Sequence, residues 1–136
     1  MTGYVTMLNG TAISWKSTKQ SSVVTSTVEA EYIALATTTA EVLWIWALLQ
    51  EAGYNNNNNN NNQSNATVIN SDNNGAINIA NNGIVSYQTK YIHIKHYLLK
   101  HNIKSNNIAL HHCNSANNTT DTLRKHYLIH VLRNVE

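Results

Sequence analysis

Carboxylate side chains are few in this sequence, and their spacing could support metal chemistry. Glu29 and Glu31 lie two residues apart in the stretch STVEAEYIALA, and Asp72 and Asp121 are the only aspartates among 136 residues. Asp72 directly follows the apolar segment ATVIN, and ligands of α/β folds commonly bind beyond the carboxyl ends of strands. Brought together, such side chains could bind a divalent cation, because Mg²⁺ prefers oxygen ligands. Taken singly, each acid could equally have a structural role. It could cap the N-terminus of a helix or interact favourably with the positive end of the helix dipole.

The two glutamates cannot serve one site together if their stretch is helical. Residues two apart on a helix point about 200° apart, so one of the two must face elsewhere. Apolar residues follow both glutamates at helical spacing. The pattern alone therefore leaves open which glutamate faces inward.

Composition and charge restrict the class of protein. The length suits one small domain, and 42% of the residues are apolar. The formal net charge of +2 is too weak to indicate nucleic-acid binding by itself. Charge is nevertheless unequally distributed, since residues 86–135 contain seven Lys and Arg side chains against Asp121 alone. This half forms either an ordinary solvated face or a face that binds polyanions.

No feature of the sequence predicts export or membrane insertion. Cys113 is the only cysteine, which rules out an internal disulfide bond. The first ten residues lack the pattern of a signal peptide. The longest apolar run, residues 42–49, is far shorter than the ~20 residues needed to cross a bilayer. We therefore expect an intracellular protein, cytoplasmic or nuclear, without a membrane partner.

Hydrophobic periodicity and turn signals predict alternating strands and helices. Strands are expected over residues 3–8 and 12–17, joined by an Asn-Gly turn. A helix is expected from about Val28 to Ala52, ended by Gly53. The remaining expected elements are a strand at 66–70, helices at 75–80 and 91–104, a strand at 108–113 and a final helix at 121–135. The order β-β-α-β-α-α-β-α is typical of an α/β sheet with helices on its faces.

An uninterrupted run of asparagines, residues 55–62, separates the long helix from the third strand. Low-complexity polar sequence cannot build a core. We predict that residues 55–65 form a disordered and dispensable loop inside a single domain covering residues 1–136.

Four segments of the chain share their order and spacing with one known family. ISWKSTKQSSVVTSTVEAEYIALA is similar to a run I-S-W-x-S-K-K-Q followed by S-[ST]-x-E-A-E-Y-I-A. INSDNNGAINIANN is similar to a strand followed by D-N-x-x-A-I, and YQTKYIHIKHYLL to R-T-K-H-I-D-I-x-x-H. HHCNSANNTTDTLRK is similar to a C-terminal sequence pattern that contains the dipeptide A-D. Together these segments resemble the ribonuclease H domain of copia-type LTR retrotransposon polyproteins. The resemblance is collinear and covers essentially the whole chain outside the asparagine run.

The resemblance implies a ribonuclease H-like mixed sheet flanked by helices, and hydrolysis of the RNA strand of RNA–DNA hybrids. That chemistry uses two divalent ions, Mg²⁺ or Mn²⁺, about 3.5–4 Å apart. Carried over by motif, the catalytic and metal-binding residues are Glu31, Asp72 and Asp121, while Glu29 is a helix-end acid. The implied partners are the hybrid and the reverse transcriptase part of a parent polyprotein. Phosphate contacts are expected from the lysines of the basic half, Lys90, Lys95, Lys100 and Lys104.

The chain also departs from the family pattern. The family has a strand before TGYV that carries another metal-binding aspartate and lies between the second and fourth strands, and this sequence begins after that strand. His93 and Tyr91 stand where the family has Asp and His, and Thr120 stands where it has Ala. We therefore expect a truncated domain without its first strand and one ligand, with little or no nuclease activity.

Two other interpretations stay open. The chain could be a non-catalytic remnant that only binds nucleic acid through its basic half. It could also be a zinc protein based on some of its seven histidines, since His126 and His130 are four residues apart on the expected final helix. No histidine spacing matches a complete four-ligand motif, which makes zinc the weaker alternative.

Overall fold

The chain forms a mixed α/β fold in which the first seven elements follow the sequence expectation. The computed structural model describes residues 2–8, 10–19, 27–53, 66–82, 90–114 and 127–132. The asparagine run lies outside these residues, so the proposed loop at 55–65 stays a prediction. The elements are β1 (Thr2–Leu8), β2 (Thr11–Thr18), α1 (Thr27–Glu51), β3 (Thr67–Ser71), α2 (Asn74–Asn82), α3 (Lys90–Lys104), β4 (Ile108–His112) and β5 (Tyr127–Leu132).

The hairpin of β1 and β2 is built as its turn signal predicts. Leu8 pairs with Thr11 across a two-residue connection, and Gly10 has a φ of 80°, a conformation that glycine adopts without a steric penalty. The register shifts between Thr6 and Met7. This irregularity leaves an extra residue in β2, where residues 12 and 14 pair with consecutive positions of β1.

The last segment of the chain is the main correction to the sequence analysis. Residues 127–132 form strand β5, so the final helix expected over 121–135 is wrong for these residues. The five strands follow the order β2-β1-β5-β3-β4. β5 runs parallel to β1 and antiparallel to β3. It therefore occupies the middle of the sheet, and the expectation of a sheet without a middle strand is wrong as well.

Non-local pairing decides the conformation of this segment. In YLIHVL, apolar residues fit both a helical period and the period of two that characterises strands. The pairs β1–β2 and β3–β4 each present an open edge of unpaired N–H and C=O groups. A strand between them satisfies both edges at once, which local sequence cannot reveal.

Helix α1 packs against the sheet and supplies much of the core. Leu35 and Val42 on α1 and Ile69 on β3 are fully buried in the same cluster. By length and composition the segment Val28–Glu51 could also cross a membrane, with a mean hydropathy of 1.5, but half of that window is buried inside the fold. Its buried apolar side chains, such as Leu35 and Val42, belong to the core, whereas Trp44 and Leu48 are exposed.

Three polar side chains of α1 form hydrogen bonds within the helix or with the sheet. The hydroxyls of Thr38 and Thr39, both fully buried, donate to the carbonyl oxygens four residues earlier, at 2.8 and 2.9 Å. The indole Nε1 of Trp46 donates to Oγ1 of Thr67 on β3 at 2.7 Å. These bonds remove the penalty of burying unpaired polar groups.

The start of α2 is fixed by a cap and by contact with α1. Oδ1 of Asn73 accepts a hydrogen bond from the backbone N of Ala76 at 2.9 Å, which makes Asn73 the N-cap residue. A Cβ atom added at Gly75 would lie 3.1 Å from Cγ2 of Val28. The first turns of α1 and α2 therefore touch each other, and the absence of a side chain at residue 75 permits the approach.

Engineered disulfides should verify the position of β5. Val5 and Ile129 are register partners in the β1–β5 pair, and neighbouring strands lie within the range of Cα separations that a disulfide spans. In a Cys113→Ser background, Val5→Cys with Ile129→Cys should oxidise readily. By the chain-entropy argument the bond should stabilise the fold by about 4–5 kcal/mol, measured by denaturant unfolding with and without reductant.

The matched control pairs Val5→Cys with Leu128→Cys. Adjacent residues of a strand alternate between faces, so this pair should oxidise poorly. Equal cross-linking of both pairs would contradict the assignment of β5 as an in-register strand.

The contact at Gly75 predicts a coupling between two substitutions. In the native chain, Gly75→Ala should give little stabilisation or destabilise, because the added methyl group meets Val28 at 3.1 Å and Oδ1 of Asn73 at 3.2 Å. In a Val28→Ala background the same change should be more favourable and recover part of the usual gain of Ala over Gly in a helix, about 0.5–1 kcal/mol, because only the contact with Asn73 remains. Urea unfolding of the four proteins measures the coupling, and additive effects would show that the helices do not touch there.

Candidate metal site

Burial distinguishes the two glutamates that the sequence leaves equivalent. Glu31 is 2% exposed, whereas Glu29 lies in the first turn of α1 and is only partly buried. The position of Glu29 suits the positive end of the helix dipole. A buried carboxylate such as Glu31 costs several kcal/mol to desolvate unless charges or donors compensate it, so helix-end electrostatics do not account for its placement.

The carboxylate of Glu31 is held inside the fold. Its Oε2 atom accepts no hydrogen bond from the described part of the chain, although the residue takes part in other interactions. The next two residues along α1, Tyr32 and Ile33, are buried too, at 3% and 5% exposure. The fold therefore encloses this part of α1 on more than one side.

Asp72 lies at the carboxyl end of β3, where its position predicted a ligand. The alternative role as N-cap of α2 belongs to Asn73, so capping does not explain Asp72. Nε2 of His112 forms a hydrogen bond with the backbone oxygen of Asp72 at 3.2 Å. The backbone N of Cys113 donates to the carbonyl oxygen of Ser71 at 2.9 Å, which fixes the ends of β3 and β4 side by side.

The surroundings of Cys113, at the adjacent ends of β3 and β4, raise the pKa of its thiol. Burial raises the pKa of Cys113, and the Asp72 carboxylate raises it further because a second negative charge nearby is unfavourable. The carboxylate of Asp72 is therefore close enough to Cys113 to influence it.

Contact between α1 and α2 places Val28, three residues before Glu31, against Gly75, three residues after Asp72. Val28 precedes Glu31 by three residues and shares its side of α1. Asp72 precedes Gly75 by three residues, a span of at most about 11 Å. Because Val28 and Gly75 are in contact distance of each other, the first turns of α1 lie against the chain that leaves β3.

Of the expected ligands, the described residues include Glu31 and Asp72, and they contain no larger ligand cluster. Asp121, the third expected ligand, lies outside the described residues. Within the part of the chain that the structure describes, no group of three or more His, Cys, Asp and Glu side chains could hold a metal ion. A pair of carboxylates fits one Mg²⁺, which commonly binds one or two carboxylates and keeps several waters. It does not fit a complete centre for two ions.

The structure removes the geometric basis of the zinc alternative. A shared zinc at His126 and His130 requires a helix, but His130 belongs to β5 and His126 lies outside the described residues. The described His96 is bonded to Tyr32 and the described His101 stacks on Tyr97.

The four expected phosphate-binding lysines differ in placement. Nζ of Lys95 donates to Oγ1 of Thr37 on α1 at 3.2 Å, so this side chain is directed towards the neighbouring helix. Lys104 is exposed and Lys100 partly exposed. The side chain of Lys90 lies outside the described residues.

A tyrosine–histidine pair beside Glu31 was not singled out by sequence reasoning. The hydroxyl of Tyr32 and Nδ1 of His96 are 2.5 Å apart, and the ring centroids are 5.8 Å apart. Burial raises the pKa of Tyr32, which keeps the phenol protonated. The pair joins α1 to α3 across 64 residues of sequence, so only the tertiary structure could reveal it.

Comparison with known proteins supplies the wider relationship. No protein-family model matches the chain, and no solved structure matches it. The chain is 33% identical over 123 residues, 90% of its length, to the retrovirus-related Pol polyproteins from transposons RE2 and RE1 of Arabidopsis thaliana, and covers 8% of each. It is 31% identical over 124 residues, 91% of its length, to the retrovirus-related Pol polyprotein from transposon TNT 1-94 of Nicotiana tabacum, and covers 9% of it. Homologues of this chain are thus retrovirus-related Pol polyproteins of transposons, of which it spans less than a tenth.

Proposed function

We propose that this chain is a ribonuclease H-like domain derived from a retroelement polyprotein, with an incomplete metal site and an affinity for RNA–DNA hybrids. The single observation that carries the proposal is the burial of Glu31 on α1, one turn after Val28, whose side chain meets Gly75 at the start of the helix that follows Asp72. Similarity to Pol polyproteins from transposons supports a retroelement origin. An intracellular place of action, cytoplasmic or nuclear, and a reverse transcriptase as former polyprotein partner belong to the same proposal.

Glu31 and Asp72 would hold a divalent cation, with Asp121 as the proposed third ligand. A bound Mg²⁺ or Mn²⁺ supplies Lewis acidity at a phosphate and lowers the pKa of a water ligand. The protein would contribute by holding these carboxylates in position. Burial inside the fold restricts the side chain of Glu31, and the hydrogen bond to His112 restrains the backbone at Asp72.

Glu31, Asp72 and the proposed Asp121 are few carboxylates for the complete reaction. Two ions about 3.5–4 Å apart repel each other strongly and need several anionic ligands between and around them. With so few ligands, the attacking water would be poorly positioned, and small misplacements already cost orders of magnitude in rate. We therefore infer that the chain binds hybrids but cleaves them poorly.

A second candidate is a module that binds nucleic acid without any metal-dependent role. The sequence contains no acidic residue between Asp72 and Asp121, and Lys100 and Lys104 on α3 are accessible to solvent. An electropositive helix of this kind suits sequence-independent phosphate contacts. Metal binding distinguishes this candidate from the first.

The decisive experiment measures ion binding and cleavage together. Purified chain is titrated with Mn²⁺, observed by electron paramagnetic resonance, and incubated with a labelled RNA–DNA hybrid. We expect one weakly bound ion, lost in Glu31→Gln and in Asp72→Asn, and little or no cleavage. Glu29→Gln is the matched control, two residues away on the same helix, and should bind Mn²⁺ as the native chain does.

Two results would overturn this reading. Mn²⁺ binding that survives both Glu31→Gln and Asp72→Asn would place the ion elsewhere. Robust cleavage by the native chain, abolished in the Glu31→Gln, Asp72→Asn double variant, would mean that another group completes the carboxylate set.

Salt dependence tests the hybrid contacts. The affinity for an RNA–DNA hybrid should fall steeply with ionic strength, and Lys104→Gln should reduce the logarithmic salt slope by about one. Lys95→Gln should change it less, because Nζ of Lys95 is bonded to Thr37. Equal slopes for all three proteins in fluorescence anisotropy titrations would reject a phosphate contact at Lys104.

A further inference from the structure

The outward side of α3 combines aromatic, apolar and basic side chains. Ile94 and Tyr97 are 73% and 72% exposed. The imidazole of His101 lies against the phenol of Tyr97, with 5.9 Å between centroids and 13° between ring planes. Lys104 and His101 are exposed, and Lys100 is partly exposed. We call Ile94, Tyr97, Lys100, His101 and Lys104 the α3 stripe.

Tyr97, His101 and Lys104 follow Ile94 by three, seven and ten residues and so share one side of the helix, and Lys100 lies three residues from Tyr97 and four from Lys104 on the edge of that side. The opposite side is anchored, since Leu99 is fully buried and Asn102 is 4% exposed. The bond of His96 to Tyr32 and that of Lys95 to Thr37 tie this side to α1. The stripe therefore has a fixed orientation towards solvent.

The C-terminal end of α3 is also held by hydrogen bonds. Asn106 has a φ of 58°, a left-handed conformation that often ends helices. The backbone N of Asn107 donates to the carbonyl oxygen of Asn102, and its side-chain amide donates to Oδ1 of the same residue, both at 3.0 Å. A helix held at this end presents Tyr97, His101 and Lys104 on a firm support, which limits the entropy lost when a ligand binds.

Charge determines the kind of ligand that suits the stripe. α3 contains four lysines and no acidic residue, so an anionic partner is favoured. The parallel rings of Tyr97 and His101 offer a flat surface beside those charges. Nucleobases stack on such rings irrespective of sequence, but only an unpaired strand exposes the faces of its bases. A duplex offers phosphates to the lysines and no base face to the rings.

We propose that the α3 stripe binds single-stranded nucleic acid, with an unpaired base stacked on Tyr97 and backbone phosphates at Lys100 and Lys104. The proposed ligands of the chain then include single-stranded nucleic acid as well as RNA–DNA hybrids. It rests on the nucleic-acid part of the proposed function and is independent of Glu31 and Asp72.

The test compares a short oligothymidylate with an abasic oligomer of the same length, which keeps the phosphates and lacks the bases. Native full-length chain should bind the oligothymidylate about tenfold more tightly than the abasic strand. Tyr97→Ala should remove this difference and leave abasic binding unchanged. Tyr97→Phe should retain the difference, because the ring remains. Trp15→Ala, which removes an aromatic side chain that is 68% exposed on β2, is the control and should have no effect.

The remaining outcomes separate the two proposals. Replacement of Lys100 and Lys104 by Gln should weaken both oligomers by the same factor. If Tyr97→Ala weakens both oligomers equally or neither, the stacking site is wrong even when the hybrid still binds. If neither oligomer binds at low salt, the stripe serves another partner and the proposal fails. Tyr97-dependent discrimination without any hybrid affinity would support the stripe and contradict the proposed hybrid ligand.

Discussion

Packing of α1 across the sheet is the interaction on which the rest of the structure depends. This helix contacts β1, β3 and β5 on one side and both α2 and α3 along its flank. Each fully buried side chain such as Leu35 or Val42 contributes about 1.5–3 kcal/mol when removed from water. The same packing sets the rotation of α1 about its axis. It therefore decides that Glu31, two residues from a partly exposed glutamate, is the one placed inside.

Polar contacts fix that rotation at several levels along α1. Ser14 on β2 donates to Glu41 at 3.0 Å, and Tyr4 on β1 bonds to the same carboxylate. Burial, followed by the charge of Glu41, raises the pKa of Tyr4 to about 12. A folded-state pKa above the ordinary value of 10.0 means that this tyrosine stabilises the fold below about pH 10, and that the contribution is lost as pH rises towards 12. The contact thus links helix and hairpin over the neutral range.

Local signals account for most of the fold, and the exceptions are non-local. Asn-Gly at residues 9 and 10 specifies the first hairpin, and Gly53, with a φ of 92°, ends α1 as expected. The segment Tyr127–Leu132 carries a pattern compatible with helix or strand, and the choice depends on two open edges formed far away in sequence. Likewise, the local sequence pattern does not show which of Glu29 and Glu31 is buried, and it does not show that Tyr32 contacts His96. Asp72 was located from its position after a strand, but its relation to Cys113 and His112 needed the register of β3 and β4.

The central place of β5 has a consequence for synthesis on the ribosome. A nascent chain is made from its N-terminus at about 5–20 residues per second, and β5 is the last of the described elements to emerge. Until then the pairs β1–β2 and β3–β4 cannot be joined into one sheet, and their inner edges stay open to pairing with other chains. Closure requires contact between segments separated by almost the whole sequence, which slows folding. The nascent domain can therefore close only after β5 has emerged, and until then its open edges are exposed to chaperones and to misassociation.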